Sequence, residues 1–166
     1  MRTRSLGLLL SLLLCLAGLQ AQAATRTLRG TVSHVTDGDS LWLRPASGGA
    51  PQALRLRGID APEICQEHGP AARRALAALV EGRPVVVRLR GRDAYQRLLG
   101  ELATASHGDV GAWMVAQGHA WAPSRSRSNR YAQAQARAQA ERRGLWAQPH
   151  AVEPRVFRRR HGSCAR

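Results

Sequence analysis

Five short runs of strand-forming residues, separated by turns rich in Gly, Pro and Asp, constrain the fold of this chain more than any other feature. β-branched residues and an alternation of apolar and polar side chains mark the runs, and an Asp-Gly pair between two of them marks a hairpin turn. The predicted strands are Thr27–Val35, Ser40–Arg44, Ala53–Ile59, Pro84–Leu89 and Leu98–Ala103.

Three further segments carry helical signals. Pro70–Val80 has its bulky apolar residues at helical spacing, with Pro at its start and Gly82 after its end, and Val110–Gln117 predicts a shorter helix. Tyr131–Arg143 alternates like a strand, but its Ala, Gln, Arg and Glu residues are strong helix formers, so we predict a helix there. One helix before the fourth strand and two after the fifth predict an α+β fold, a small closed barrel with helices against it.

The first residues have the pattern of a secretory signal peptide. Arg2 and Arg4 form a positive region, Leu6–Leu19 is apolar, and the small residues Ala21 and Ala23 form a cleavage site. A membrane-spanning helix would need about 20 apolar residues. We therefore expect cleavage after Ala23, export to a periplasm or to the medium, and no membrane contact afterwards.

Cleavage would leave a single domain over residues 24–148 and a basic tail over residues 149–166, which we expect to be flexible, in a monomeric protein. It would lower the formal net charge from +14 to +12, because two arginines are lost with the leader. All 25 of the basic Lys and Arg residues are Arg. Such a charge indicates a polyanionic partner, which could be nucleic acid, anionic lipid or a cell-wall polymer.

The cysteine count depends on the same cleavage. Cys15 would leave with the signal peptide, so Cys65 and Cys164 would remain. An even number of cysteines in an exported chain permits one disulfide between them. The alternative is a pair of thiols that never meet.

Carboxylates are expected to converge at one end of the predicted barrel. Asp39 lies in the turn before the second strand, and Asp60 and Glu63 follow the third strand. Because consecutive antiparallel strands alternate in direction, the end of the third lies beside that turn. Carboxylates this close repel one another unless a cation lies among them, and oxygen ligands suit Ca²⁺ or Mg²⁺. The cluster contains no His or Cys, which argues against zinc.

Several motifs together resemble the staphylococcal nuclease-like (thermonuclease) family, over about Thr27 to Trp146. They follow the order of the family and nearly its spacing. The motifs are Val35–Ser40, Arg55–Glu63, Asp93–Leu99, Val115–Ala120 and Gly144–Trp146.

The resemblance implies an OB-fold, a five-stranded β-barrel with three helices, and a Ca²⁺-dependent nuclease activity, with Mg²⁺ as a poorer fit. It also implies a set of site residues: Asp39, Asp60 and the backbone carbonyl of Ala61 as metal ligands, Glu63 as general base, and Arg55 and Arg97 as catalytic arginines. The residue types suit these roles. A carboxylate can take a proton from water, and a guanidinium fork matches two phosphate oxygens and stays charged.

The third motif departs from the family pattern. Gln96 stands where the family often has Gly, between Tyr95 and Arg97, and could alter the turn that presents the arginine. Ala94 stands where some members carry Lys. Tyr95 is either a phosphate contact or a packing residue.

The expected function is hydrolysis of phosphodiester bonds in DNA and RNA with little sequence preference. Two alternatives stay open. One is a non-catalytic OB-fold module that binds nucleic acid, against which the retention of the motif residues argues. The other is an arginine-rich protein of membranes or cell walls, which is disfavoured because the arginines are spread over all elements instead of forming one amphipathic face.

Overall fold

A computed structural model of the protein describes residues 26–123 and 130–164; the expected signal peptide lies outside them. Ten elements follow in chain order, one of them a 3₁₀ turn at Gly144–Ala147. The strands are β1 (Thr27–Val35), β2 (Ser40–Pro45), β3 (Gln52–Leu56), β4 (Pro84–Arg92) and β5 (Leu98–Ala103). The helices are α1 (Gly69–Val80), α2 (Val110–Ala116), α3 (Ala132–Ala140) and α4 (Pro154–His161).

The five strands form one closed barrel in the order β1-β2-β3-β5-β4. All neighbouring pairs are antiparallel except β3 with β5, which run parallel. Parallel pairing needs a crossover connection, and the segment that contains α1 and β4 supplies it. The predicted α+β class and OB-fold barrel are confirmed.

Alternation along the strands fills the barrel. Each strand buries every second residue over at least part of its length, as a sheet with one face on a core requires. The inward side chains include Val32, Val35, Leu41, Leu43, Leu54, Leu56, Val85, Val87, Leu98 and Leu102. In the second half of β4, the outward positions carry Arg88, Arg90 and Arg92, so this part of the barrel wall is positively charged.

A close approach fixes the turn between β1 and β2. A Cβ atom on Gly38 would lie 2.7 Å from the Cβ of Ala61 and 2.8 Å from the Cβ of Ala72, which are shorter than real contacts. Only glycine lets the turn lie against both the segment after β3 and helix α1. The turn that carries Asp39 is therefore held beside the segment that carries Asp60.

The three predicted helices lie where the sequence places them, and the tail adds a fourth. The expectation of a flexible tail was wrong, because residues 154–161 form α4. Pro154 occupies the first turn of this helix, where its missing N–H costs nothing. A disulfide between Cys65 and Cys164 attaches the end of the tail to the segment after β3. Among the described residues, no helix is both long and apolar enough to cross a bilayer.

Candidate active site

The site lies at the end of the barrel where β2 begins and β3 ends. In the ladder between these strands, Ser40 is opposite Arg55. The amide of Leu56 donates to the carbonyl of Asp39, with a distance of 2.8 Å. The register of one strand pair therefore brings the side chains of Asp39 and Arg55 together.

Arg55 joins two carboxylates. Its Nη1 donates to Asp39 Oδ1 at 2.5 Å, and its Nη2 donates to Asp60 Oδ1 at 2.8 Å. Asp60 is held by an antiparallel bridge to Trp121, in which each amide donates to the other carbonyl at 2.9 Å. Both carboxylates are buried, with 2% of Asp39 and 7% of Asp60 exposed. The predicted convergence of the two aspartates is thus present in the structure.

The carboxylate of Asp39 accepts hydrogen bonds from three donors but remains costly to ionise. Its Oδ1 also accepts from the Ser40 hydroxyl at 2.9 Å, and its Oδ2 accepts from the amide of Ala61 at 3.0 Å. Burial raises the pKa of Asp39 to about 7, although the charge of Arg55 opposes this effect and the nearby Asp37 adds to it. A positive charge added here would stabilise the carboxylate form.

A tight turn between β4 and β5 presents Arg97. Asp93 Oδ1 accepts from the amides of Tyr95 and Arg97 at 2.9 and 3.0 Å, and Asp93 Oδ2 accepts from Arg97 Nε at 2.7 Å. Arg97 Nη1 lies 3.3 Å from the Ser40 hydroxyl, which itself donates to Asp39. Arg97 therefore belongs to the same cluster through Ser40. Asp93, which sequence reasoning did not select, orients it.

Gln96 adopts the left-handed backbone region in this turn, with φ of 63°. This is the position where the family often has Gly, so the substitution leaves the turn formed and puts strain into it. Tyr95 is 81% exposed, and the guanidinium of Arg97 lies 5.6 Å from its ring centre. The structure thus places Tyr95 beside Arg97 and not in the barrel core.

Glu63 forms an ion pair with Arg158, an arginine that the sequence analysis did not select. Arg158 of α4 donates through Nη1 to Glu63 Oε1 at 2.7 Å, and through Nη2 to Asp60 Oδ2 at 2.9 Å. Its Nη1 also lies 3.2 Å from Asp60 Oδ1. One feature of the sequence pointed to this contact: a disulfide between Cys65 and Cys164 attaches the end of the tail close to Glu63. The ion pairs at the barrel end therefore include the C-terminal helix.

The donor set fits a hard divalent cation in part. Asp39 and Asp60 share one guanidinium, so their carboxylates converge on a small volume that Ala61 also borders. Carboxylate and carbonyl oxygens with water suit Ca²⁺ or Mg²⁺. Within residues 26–123 and 130–164, no group of three or more His, Cys, Asp or Glu side chains forms a metal cluster. A cation would therefore depend on two carboxylates and backbone or water oxygens.

The fold and these residues define a barrel with a carboxylate and arginine site at one end. The chain belongs to the family described as Staphylococcal nuclease homologue, whose model matches residues 53–148. It is 39% identical over 150 residues to Protein ParB of Escherichia coli, covering 84% of each chain.

Two further relatives are named as nucleases. The chain is 37% identical over 153 residues to an uncharacterized endonuclease of Haemophilus influenzae, covering 92% of this chain and 84% of the relative. It is 31% identical over 134 residues to an uncharacterized endonuclease of Escherichia coli O157:H7, covering 80% of this chain and 86% of the relative. Family membership supports a nuclease whose substrate is nucleic acid.

Proposed function

We propose that the protein is an exported, Ca²⁺-dependent endonuclease that hydrolyses phosphodiester bonds in DNA and RNA with little sequence preference. The observation that carries this proposal is the convergence of Asp39, Asp60 and Glu63 with Arg55 and Arg97 at one end of the barrel. The relatives named as endonucleases support the same activity.

The residue roles follow from their chemistry. Glu63 accepts the proton of the attacking water, since a carboxylate within reach of that water can act as general base. Arg55 and Arg97 bind the non-bridging phosphate oxygens, on which negative charge gathers in the transition state. Tyr95, exposed beside Arg97, is a substrate contact at the edge of the site.

Asp39, Asp60 and the backbone carbonyl of Ala61 would hold the Ca²⁺ ion. The bound ion supplies Lewis-acid stabilisation of phosphate charge. Asp39 and Asp60 also orient the guanidinium of Arg55, which donates to both carboxylates. The raised pKa of Asp39 supports this assignment, since a buried carboxylate of this kind gains most from an added cation.

The division of the chain is part of the proposal. Residues 1–23 are a signal peptide, residues 24–148 form the nuclease domain and residues 149–166 form a basic tail. The mature protein acts as a monomer in a periplasm or in the medium. Its positive charge attracts nucleic acid through phosphate contacts.

Digestion of a plasmid by the purified mature protein tests the activity directly. Incubation with plasmid, single-stranded DNA or RNA, each with Ca²⁺, with Mg²⁺ or with EDTA, is expected to give cleavage of all three in Ca²⁺ and none in EDTA. Binding of nucleic acid without cleavage under every condition would show a non-catalytic binding module instead. Cleavage that persists in EDTA would refute the metal requirement and leave the nuclease activity standing.

A further inference from the structure

The guanidinium of Arg158 occupies the side chains that the proposed function assigns to metal binding and to proton transfer. It donates to both oxygens of Asp60 and to Oε1 of Glu63, within 2.7 to 3.2 Å. Both carboxylates therefore already have a positive partner from within the chain. A divalent cation that binds Asp60 has to compete with this guanidinium for the same oxygens.

Attachments at both ends of α4 hold the Arg158 guanidinium close to Asp60 and Glu63. The disulfide between Cys65 and Cys164 anchors the tail just after its helix. Before the helix, Gln66 Nε2 donates to the carbonyl of Val152 at 2.6 Å. Two anchors on either side of an eight-residue helix make docking of Arg158 an intramolecular event, with a high effective concentration.

Most side chains of α4 are exposed or only half-buried. Pro154 is buried, whereas Arg155, Arg159 and His161 are exposed. Phe157 faces a cleft of about 250 Å³ between the helix and the barrel domain. Pro154 is the one buried residue of this helix, so the helix can lift from the site without opening a packed core.

We propose that α4 is a built-in competitor of the divalent cation: Arg158 docks on Asp60 and Glu63, and the cation has to displace it to bind. The inference rests on the function proposed above. Its effect is to reduce the apparent affinity for the cation by the fraction of molecules in which Arg158 is undocked. The tail therefore sets the Ca²⁺ concentration at which the site fills.

Calorimetric titration of the mature protein with Ca²⁺, in the absence of nucleic acid, tests this inference without measuring activity. A hydrogen bond to a charged group is worth a factor of about 10 to 100 in an equilibrium constant. We therefore expect Arg158→Gln to bind Ca²⁺ at least about 10-fold more tightly than wild type. The matched control is Arg159→Gln, which removes the same charge from the exposed neighbouring position and should leave the affinity within about 2-fold.

A second variant separates the tether from the guanidinium. With both Cys65 and Cys164 replaced by Ser, the affinity should lie between those of wild type and Arg158→Gln. Adding Arg158→Gln to that variant should then change it less than it changes wild type, because the two substitutions act through one contact. Thermal unfolding in EDTA gives an independent readout, since Arg158→Gln should unfold at a lower temperature and gain more from added Ca²⁺.

Each contrary result has a distinct meaning. Unchanged or weaker Ca²⁺ binding by Arg158→Gln overturns the competition. If metal-free DNA binding weakens at the same time, Arg158 is a substrate contact instead. Failure of both wild type and Arg158→Gln to bind Ca²⁺ overturns the metal requirement of the proposed function, and this inference with it.

Discussion

At the end of the barrel, the carboxylates of Asp39, Asp60 and Glu63 contact the guanidinium groups of Arg55 and Arg158, at 2.5 to 2.9 Å. On the outer wall, the carboxylate of Glu101 is surrounded by four arginines at 3.1 to 3.7 Å, one of which, Arg130, also pairs with Asp109. Those arginines are Arg57, Arg88, Arg90 and Arg130. We refer to this second group as the outer cluster.

The two clusters use the same residue types in opposite proportions. In the site, three carboxylates contact two guanidinium groups, so a further positive charge there would be stabilised. In the outer cluster, the excess of positive charge favours an anion such as a phosphate backbone. The excess of carboxylate in the site suits the proposed cation, and the excess of arginine in the outer cluster suits a polyanionic substrate.

The pKa shifts of the two clusters have opposite signs. Burial raises the pKa of Asp39 to about 7, more than Arg55 lowers it. Burial also raises the pKa of Glu101, but the hydrogen bond from Arg90 and the charges of the neighbouring arginines outweigh it, and the pKa lies below its usual value. The positive charge around Asp39 is thus too small to offset the effect of burial on its pKa, whereas the positive charge around Glu101 more than offsets it.

The largest expected difference between the clusters is in turnover. Arg55→Ala, Arg97→Ala and Glu63→Gln should each lower turnover on DNA by at least about 100-fold, the scale for losing a transition-state contact. Arg57→Ala, which removes an outer-cluster arginine close to Arg55 in the chain, should retain turnover within a few-fold. Single-turnover cleavage with folding checked by circular dichroism measures this. Normal turnover in a site variant would remove that residue from the mechanism.

The sequence predicts those parts of the site that depend on the order and direction of neighbouring strands. Asp39 and Asp60 could be placed together because the hairpin fixes which strand ends are neighbours. Arg55 and Arg97 came from the family resemblance, and the structure joins both to Asp39, Arg97 through the Ser40 hydroxyl.

For Arg158 the sequence offers only the Cys65–Cys164 pair, which places the tail near Glu63 without indicating which arginine reaches the site. Arg158 reaches Asp60 across 98 residues, and no periodicity encodes such a contact. Helix α4 has eight residues, and isolated helices of that length are marginal, so propensity is a weak guide. It forms where a disulfide and ion pairs hold it, and both are tertiary features.

Removing positive charge from the outer cluster should weaken the salt dependence of DNA binding. With EDTA present to prevent cleavage, log K should fall linearly with log salt, with a slope of about −0.9 for each duplex phosphate neutralised. Arg88→Ala with Arg90→Ala should reduce that slope by about 1 to 2. The control pair, Arg29→Ala with Arg44→Ala, removes the same charge from exposed positions on β1 and β2 and should change it less.

Equal changes from the two pairs would mean that the outer cluster has no special part in DNA binding. Affinity that stays flat from low to high salt would indicate recognition of bases instead of phosphates. Aromatic residues make up only 4% of the chain, so we expect the phosphate term to dominate.

The opposite pKa shifts predict opposite pH effects on stability. Because the folded-state pKa of Asp39 is raised, the metal-free folded protein holds its proton more tightly than the unfolded chain. The stability from this group is therefore full below about pH 4 and is lost as the pH rises to about 7. Glu101 has a lowered pKa, so its contribution is present above its unfolded pKa and is lost in acid.

Denaturant unfolding in EDTA across pH 3 to 8 measures the stability of wild type and of each variant. The difference between the two at each pH gives the contribution of the substituted carboxylate. The stability of wild type minus that of Asp39→Asn should fall as the pH rises through this range, and the same difference for Glu101→Gln should rise. Excess Ca²⁺ should abolish the first trend, since a bound cation keeps Asp39 ionised. Parallel pH profiles for wild type and Asp39→Asn would show that Asp39 titrates normally.

The smallest expected effect concerns the turn that carries Arg97 into the site. Gln96 has a φ of 63° and is exposed, and a left-handed backbone costs a non-glycine residue about 1 to 2 kcal/mol. Gln96→Gly relieves this strain, but glycine loses about 0.5 to 1 kcal/mol more backbone entropy on folding. The net gain in the free energy of unfolding should therefore lie between zero and about 1.5 kcal/mol.

Gln96→Ala is the matched control, because alanine keeps a Cβ atom and so keeps the strain. It should be no more stable than wild type, and both variants should keep turnover within a few-fold, since Asp93 still holds Arg97 through its carboxylate. Chemical denaturation compares the three proteins. If Gln96→Gly were less stable than Gln96→Ala, the left-handed turn would not be strained, and the departure from the family pattern at this position would carry no cost for presenting Arg97.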